Sequence, residues 1–459
     1  MQAVLDYLDA NYDRFLKELC DYLRFPSVSA QPEHAKDMAA CAEWLRNHCR
    51  GIGLEADLHP TKGNPILVAR TPRKAGTKKP HYMVYGHYDV QPAEPFELWK
   101  TPPFEPRIDG CNLFARGSCD NKGQNFAHLK AVEAYLKTDT ELPCDLTFVI
   151  EGEEEVGSKN LMPFIKAQKA ALKCDNVVIS DNGIPQKNLP ALTYALRGIV
   201  AVEMKLTGPN RDLHSGLFGG TVDNPAMVLS QMLASLRDKD GRITIPGYYK
   251  DVLPLSKFER ESFKRLPHDD AKYAKFLGVK ALFGERGFTT IERKSARPTV
   301  EINGLTSGYQ GKGSKTIVPS WASTKLTFRL VPGQSAKKVH KTILDHLKKI
   351  CPSTVKIEFG DYHGGEPYLV SPTSPAAQAA LRTLKLAFGK EPAVMREGGS
   401  IPIVVDFKKV LGADTLLLGL SLPDDNPHSP NEKFDLDLFK QGMRMGAYLW
   451  QELPKASAK

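Results

Sequence analysis

The sequence has no run of roughly 18 apolar residues, the length a membrane-spanning helix needs, so no membrane segment is expected. Its opening, Met1-Gln2-Ala3-Val4-Leu5-Asp6, lacks a basic stretch followed by an apolar core, and no secretory signal is expected. None of the eight cysteines (20, 41, 49, 111, 119, 144, 174 and 351) stands in a Cys-x-x-Cys pair. Scattered over 459 residues, they read as reduced, mostly buried thiols of a cytoplasmic protein, with Cys119 in a packing role. There is also no basic patch interleaved with aromatics. The formal charge of +9 comes from lysines spread along surface helices such as 337–349, so a solvated surface is expected and no nucleic-acid partner.

What is present is ordinary globular composition, 41% apolar and 25% charged, with length for two to three domains. Leu5, Leu8, Tyr12, Phe15, Leu19 and Tyr22 recur at helical spacing and predict one N-terminal helix ended by Phe25-Pro26. A second helix is expected over about 35–50, stopping at Gly51. Strands and helices then alternate to about residue 190, which argues for a sheet covered by helices. From Ile199 the order becomes strand (200–206), helix (225–236), strands near 299–302 and 322–331, helix (335–350) and strand (354–359). That is the ferredoxin-like split unit, which can fold as its own domain. An insert at about 239–297 is less regular, with an extra helical piece expected over 256–283. After residue 374 a helix (376–388), the loop Arg396-Glu397-Gly398-Gly399-Ser400, and a final strand and helix resume the first pattern. The expected class is α/β. A discontinuous first domain (1–193 and 374–459) with a mixed, mostly parallel sheet between helices is interrupted by a ferredoxin-like α+β domain (194–373).

His87-Tyr88-Asp89 closes the apolar run Tyr82-Met83-Val84-Tyr85-Gly86. A buried strand that stops at His-x-Asp offers an imidazole to a metal and a carboxylate to hold the other ring nitrogen. Three further apolar runs end in ligand-type residues. Residues 145–150 lead into Glu151-Gly152-Glu153-Glu154-Glu155, residues 176–179 into Ser180-Asp181-Asn182, and residues 415–418 towards Asp424-Asp425-Asn426-Pro427-His428. Asp120 stands before an expected helix with Phe126, Leu129, Val132 and Leu136 on one face. Ligands of open α/β sheets bind beyond the carboxyl ends of strands, so these histidines and carboxylates could converge on one crevice. His428 reaches it only if the last segment returns to the first domain. The adjacent pair Glu154-Glu155 suits two-metal hydrolysis: the two carboxylates raise each other's pKa, and a cation on one leaves the other free as a base. Mixed histidine and carboxylate ligation without thiolate suits Zn²⁺, with Mn²⁺ or Co²⁺ also acceptable.

Five motifs, in order, carry a family resemblance. They are Gly86-His87-Tyr88-Asp89-Val90-Gln91-Pro92, Arg116-Gly117-Ser118-Cys119-Asp120-Asn121-Lys122-Gly123, Glu153-Glu154-Glu155-Val156-Gly157-Ser158, Ser180-Asp181-Asn182 and His428-Ser429-Pro430-Asn431-Glu432. Together they resemble the dinuclear zinc exopeptidases, a family that includes cytosolic nonspecific dipeptidase, carnosinase, aminoacylase and succinyl-diaminopimelate desuccinylase. The first motif and Arg-Glu-Gly-Gly-Ser are typical of the dipeptidase branch. The resemblance implies a metal-dependent dipeptidase that cleaves short peptides through a water bridging two metal ions. The alternative with the same chemistry is an N-acyl amino-acid deacylase or desuccinylase.

Residue by residue, the resemblance implies that Asp120 bridges the ions, that His87 and Asp181 hold one, and that His428 and Glu155 hold the other. Glu154 would act as general base and pass the proton to the leaving amine, with Asp89 orienting His87. The interrupting domain would be a lid and dimerisation domain of a homodimer. From it His214 would reach the oxyanion in a partner subunit, and Thr316 and Arg329 would bind substrate, a guanidinium suiting a free carboxylate. Ser400 and the amides of Gly398 and Gly399 would bind from the catalytic side. The Asp120–Asn121 peptide bond is expected to be cis.

The chain departs from the dipeptidases at Ser371-Pro372-Thr373-Ser374-Pro375, where they usually carry a histidine, so a carnosine-like preference is not expected. His363 reads as a loop residue, His128 as a helix residue near the site, and His48, His59, His340 and His346 as structural. Residues 308–316 resemble a phosphate-binding loop, but Ser314 separates Gly313 from Lys315, and a nucleotide-dependent enzyme is not expected. A relative that only binds would have lost the base or a ligand, and neither is missing here.

Overall fold

Strands buried on both faces need unbroken apolar runs, and His81–His87, Asp145–Glu151, Asn176–Ile179 and Asp414–Leu417 have them. In the computed structural model, which describes residues 1–73, 76, 78–399 and 401–457, these four lie side by side and parallel. They form the centre of a nine-stranded sheet. Ile66–Arg70 and Glu55–His59 extend it antiparallel on one side. On the other side Ala191–Leu196 and Tyr368–Leu369 add antiparallel pairings, and Ala393–Glu397 pairs parallel with Ala191–Leu196. The sheet is mixed, with most of its parallel pairings gathered where the strands are most buried.

Alternate side chains feed two cores. Tyr82, Val84, Phe148, Val178 and Leu416 join one with Phe126 and Trp450, while Met83, Tyr85, Val149, Val177 and Leu417 join the other with Leu161 and Phe407. The helix Lys122–Lys137 is buried from Lys122 to Tyr135 and takes Lys130 inside. The Lys130 ammonium donates to Glu18 at 2.5 Å, His48 Nε2 at 2.7 Å and Glu133 at 2.8 Å. These three acceptors are grouped like metal ligands, but the three ammonium hydrogens already satisfy them.

The N-terminal helix expected as one piece is two, Gln2–Ala10 and Tyr12–Leu23. The break falls at Asn11, whose side-chain amide donates to the Tyr7 carbonyl at 2.9 Å and competes with helical bonding.

The second sheet has the order Thr299–Ser307, Trp321–Leu330, Gly198–Thr207, Lys356–Phe359, all antiparallel, with His363–Gly365 also pairing Gly198–Thr207. His363 is thus a strand residue, not a loop residue. Helices Pro225–Ala234 and Ala336–Ile350 pack on one face, over Val200, Val202, Met204 and Leu206. The order and connections are those of the split ferredoxin-like unit. The chain passes between sheets at Arg197 and returns between Gly365 and Tyr368, because Ala191–Leu196 runs three residues past the expected 193/194 division and Tyr368–Leu369 pairs back before 373. The crossings touch: a Cβ on Gly198 would lie 2.6 Å from the Gly365 carbonyl oxygen.

The insert folds as three short helices, Lys257–Lys264, Asp270–Leu277 and Thr290–Ala296, the first and last with capping boxes. Glu259 anchors it to the first sheet, accepting from the Tyr194 hydroxyl at 2.7 Å and pairing with Arg396. This contact places the insert beside the carboxyl ends of the central strands.

Candidate active site

Four of the five proposed metal ligands stand at or just beyond the ends of central strands, and Asp120 alone comes from the turn before a helix. His87 is the last residue of its strand, Glu154–Val156 forms a 3₁₀ turn after Asp145–Glu151, and Asp181 follows Asn176–Ile179. Asp120 precedes the helix Lys122–Lys137, and His428 lies in the loop after Asp414–Leu417 with a left-handed φ of 61°. The Asp120–Asn121 peptide bond is cis.

His87 is wholly buried. Its Nδ1 lies 3.0 Å from the Asp89 carbonyl oxygen, which fixes the proton there and points Nε2 into the site. Nε2 is buried with no hydrogen-bond partner among the described residues, 3.3 Å from Asp120 Oδ1 and 3.6 Å from Asp181 Oδ2. His428 Nε2 lies 2.9 Å from Asp120 Oδ2 and 3.4 Å from Glu155 Oε2. Two groups of potential ligands result, His87–Asp120–Asp181 and Asp120–Glu155–His428, each with its atoms within 4.8 Å of one another. Asp120 is common to both, with one oxygen turned to each.

The charges are those of a site built for cations. Burial disfavours a charged His87, but Asp181, Asp120 and Asp89 outweigh it and raise its pKa well above the usual value. Burial pushes Asp120 up, yet the neighbouring His428 and His87 imidazoles hold it well below the usual carboxylate range. Burial and the neighbouring carboxylates raise Glu154 to about 8 and Glu155 to about 7. The buried orphan nitrogen and the mixed nitrogen and carboxylate donors fit divalent cations. Cys119 offers no thiolate ligand; it is fully buried in the core.

Supports surround this set. Asp89 does not grip His87 closely, at 3.4 Å from Nδ1. Its carboxylate instead accepts the Ser29 hydroxyl at 2.6 Å and the amides of Glu154 and Glu155 at 3.3 and 3.1 Å. Asn121 donates to Asp181 Oδ1 at 2.9 Å, Gln91 to Glu155 Oε2 at 2.7 Å, and His128 Nε2 meets Ser180 Oγ at 2.8 Å. Glu432, to which sequence reasoning gave no role, accepts from Arg116 at 2.8 Å and from the amides of Gly117, Cys119 and Asp120 at 2.9, 3.0 and 3.1 Å. It ties the Asp120 loop to the His428 loop.

A cavity of about 680 Å³ opens over Asp120, Glu154, Asp181 and His428. Its far walls come from Arg197, Glu397, Gly398 and Gly399 on the first domain and from Leu266, His268, Ile291 and Lys294 of the insert. Arg197 donates to the Gly398 carbonyl at 3.0 Å. Ser400 lies outside the described residues. His214 and Thr316 are elsewhere, around the short strand pair Leu213–His214 and Ile317–Val318, and Arg329 lines an adjoining cavity. Within one chain they do not meet the Asp120 cluster. Residues 308–316 turn from Thr299–Ser307 into Ile317–Val318 with no helix behind them, so they do not build a phosphate-binding loop.

The model of peptidase family M20/M25/M40 matches residues 83–452. The chain belongs to this family. Among M20 relatives, a Cys-Gly metallodipeptidase of Saccharomyces cerevisiae is 34% identical over 98% of this chain and 97% of its own length. A Beta-Ala-His dipeptidase of Mus musculus is 31% identical over 99% and 96%. The crystal structure of an M20 metallo-carboxypeptidase, Sso-CP2 from Sulfolobus solfataricus, superposes with a TM-score of 0.82 at 32% identity, covering 96% of this chain and 99% of that one. Among the described residues of this M20 chain, no helix is long and apolar enough to cross a membrane.

Proposed function

We propose that this chain is a metal-dependent dipeptidase that hydrolyses the peptide bond of dipeptides or other short peptides. The observation that carries this reading is the pair of ligand groups joined at Asp120, with the Glu154 carboxylate beside them and a cavity above. Full-length likeness to dipeptidases at about 30% identity favours peptides over N-acyl amino acids.

His87 and Asp181 would hold one divalent cation and His428 and Glu155 the other, with Asp120 between; Zn²⁺ suits these donors best, Mn²⁺ and Co²⁺ also. When bound, the two ions would polarise the scissile carbonyl and acidify a water. Glu154 takes the proton from the attacking water as its oxygen bonds to the carbonyl carbon. It then delivers that proton to the leaving nitrogen as the C–N bond breaks. Asp89 positions Glu154 and Glu155 through their amides.

We assign the catalytic domain to the two segments that flank the crossings, up to Leu196 and from Tyr368 on, and the segment from Gly198 to Gly365 to a lid through which two copies pair. His214, Thr316 and Arg329 would complete the partner's site, with Ser400 and Gly399 binding from the catalytic side. In support, Leu217 and Met227, close to His214 in sequence, are 74% and 63% exposed. Eight free thiols suit a cytoplasmic setting.

The test is hydrolysis by metal-stripped and reloaded protein of a dipeptide panel and of N-acetyl and N-succinyl amino acids. Dipeptide cleavage restored by Zn²⁺ or Mn²⁺ supports the proposal. Faster turnover of the acyl substrates reassigns the chain as a deacylase.

A further inference from the structure

One carboxylate oxygen in the cavity is buried without a donor among the described residues. Glu397 ends the strand Ala393–Glu397 and lines the same cavity as Asp120, Glu154 and Asp181. Its Oε2 is buried and meets no hydrogen-bond donor among the described residues. Lys294, exposed on the helix Thr290–Ala296, lines the cavity as well, but makes no ion pair with Glu397 within 4.0 Å. A buried acceptor kept open is costly, and a ligand that brings a donor removes the cost.

The charge of that ligand follows from its surroundings. Asp120, Asp181 and Glu155 are committed to cations and Glu154 to proton transfer, on the dipeptidase reading that this inference rests on. Glu397 is then the uncommitted acid of the cavity. A dipeptide held with its carbonyl at the Asp120 cluster has one obligatory cation, the α-ammonium of its N-terminal residue. Its other end is a carboxylate, which suits a cationic side chain, the role proposed for Arg329, rather than Glu397.

We propose that Glu397 binds the free α-ammonium of the substrate and so makes an unblocked N-terminus a requirement for cleavage. An N-acyl amino acid presents an amide with no charge there and leaves Oε2 unpaired. Glu397 is therefore the residue that separates dipeptidase from deacylase behaviour on a shared site.

The experiment compares wild type with Glu397→Gln on a dipeptide and its N-acetyl form, using the metal-loaded enzyme. KM for the free dipeptide is expected to rise at least about tenfold, with kcat/KM for the acetylated form unchanged or higher. Glu397→Asp, which keeps the charge, is expected to recover part of the preference. Calorimetry in a Glu154→Gln background gives the readout without turnover: Glu397→Gln weakens binding of the dipeptide but not of its N-acetyl form. Equal losses on both ligands, or none on the dipeptide, overturn the proposal. So does Lys294→Met if it erases the discrimination to the same extent, because Glu397 would then act as a latch to Lys294. If wild type cleaves no dipeptide the dipeptidase reading falls, and the calorimetric comparison still decides the role of Glu397.

Discussion

Asp89 and Glu155 are joined through the backbone: Asp89 Oδ2 accepts the Glu155 N–H at 3.1 Å. The same carboxylate also accepts the Glu154 amide and the Ser29 hydroxyl. One buried acid thus fixes the turn that carries both glutamates, while its own carbonyl sets the His87 ring. Asp89→Asn keeps the shape but removes the charge and points an NH₂ at groups that need an acceptor. Metal affinity is expected to fall about 10–100-fold, measured by competition with a chromophoric chelator. An unchanged affinity would show that the turn holds itself.

Arg116 and Glu432 are 1% and 0% exposed and 2.8 Å apart. Glu432→Ala strands a buried guanidinium and three amides. The expected loss of stability is about 3–5 kcal/mol, read from the urea midpoint. The double replacement Arg116→Met with Glu432→Leu is expected to cost less than Glu432→Ala alone, since no buried charge is left unpaired. A double replacement that costs more would mean that the amides, not the ion pair, set the penalty.

Two histidines, His128 buried and His48 half-buried, make stability depend on pH. Burial, aided at His48 by the Lys130 ammonium, lowers His48 and His128 to about 4. In the unfolded chain both titrate near about 6.5. Below that pH the unfolded state binds more protons, so stability is fully present above about 6.5 and falls as the pH drops towards 4. Each histidine contributes at most about 3 kcal/mol to the decline. Denaturation midpoints between pH 7 and 5 are expected to fall less steeply in His48→Gln, whose amide oxygen can still accept from Lys130. The same slope in the variant would remove His48 from the account.

Four of the five ligands were legible because each closes or follows a run of apolar residues, and the strand ends then decide where it points. His87 after Tyr82–Gly86 and Asp181 after Val177–Ile179 are such cases. The split ferredoxin-like unit was legible for the same reason, its strands alternating cleanly, as Val200, Val202, Met204 and Leu206 do. Asp120 was legible only from its place before a helix and from its motif. Glu432 was not, because its partners lie more than 310 positions earlier and no local period marks the pairing. The anchoring of the insert escaped too. Glu259 reads as a capping-box residue, which it is, and nothing around it in sequence announces Tyr194 and Arg396. The break at Asn11 is a local competition that apolar spacing does not register.

His214 is exposed, accepts the nearby Gly216 amide at 3.1 Å from its ring, and lies outside the cavity that holds Glu154. If it acts across a dimer, loss of His214 disables the partner's site and loss of Glu154 disables its own. Each homodimer of His214→Ala or Glu154→Gln is then nearly inactive. Mixing the two by reversible dissociation yields a hybrid in which one site carries both defects and the other has neither. Random exchange of equal amounts makes half of all dimers hybrids, each with one intact site, so about a quarter of wild-type activity is expected. Exchange is followed by mass difference, so activity can be compared with the hybrid fraction. Full exchange without recovery would place His214 in its own subunit's site, and a His214→Ala homodimer as active as wild type would place it outside catalysis.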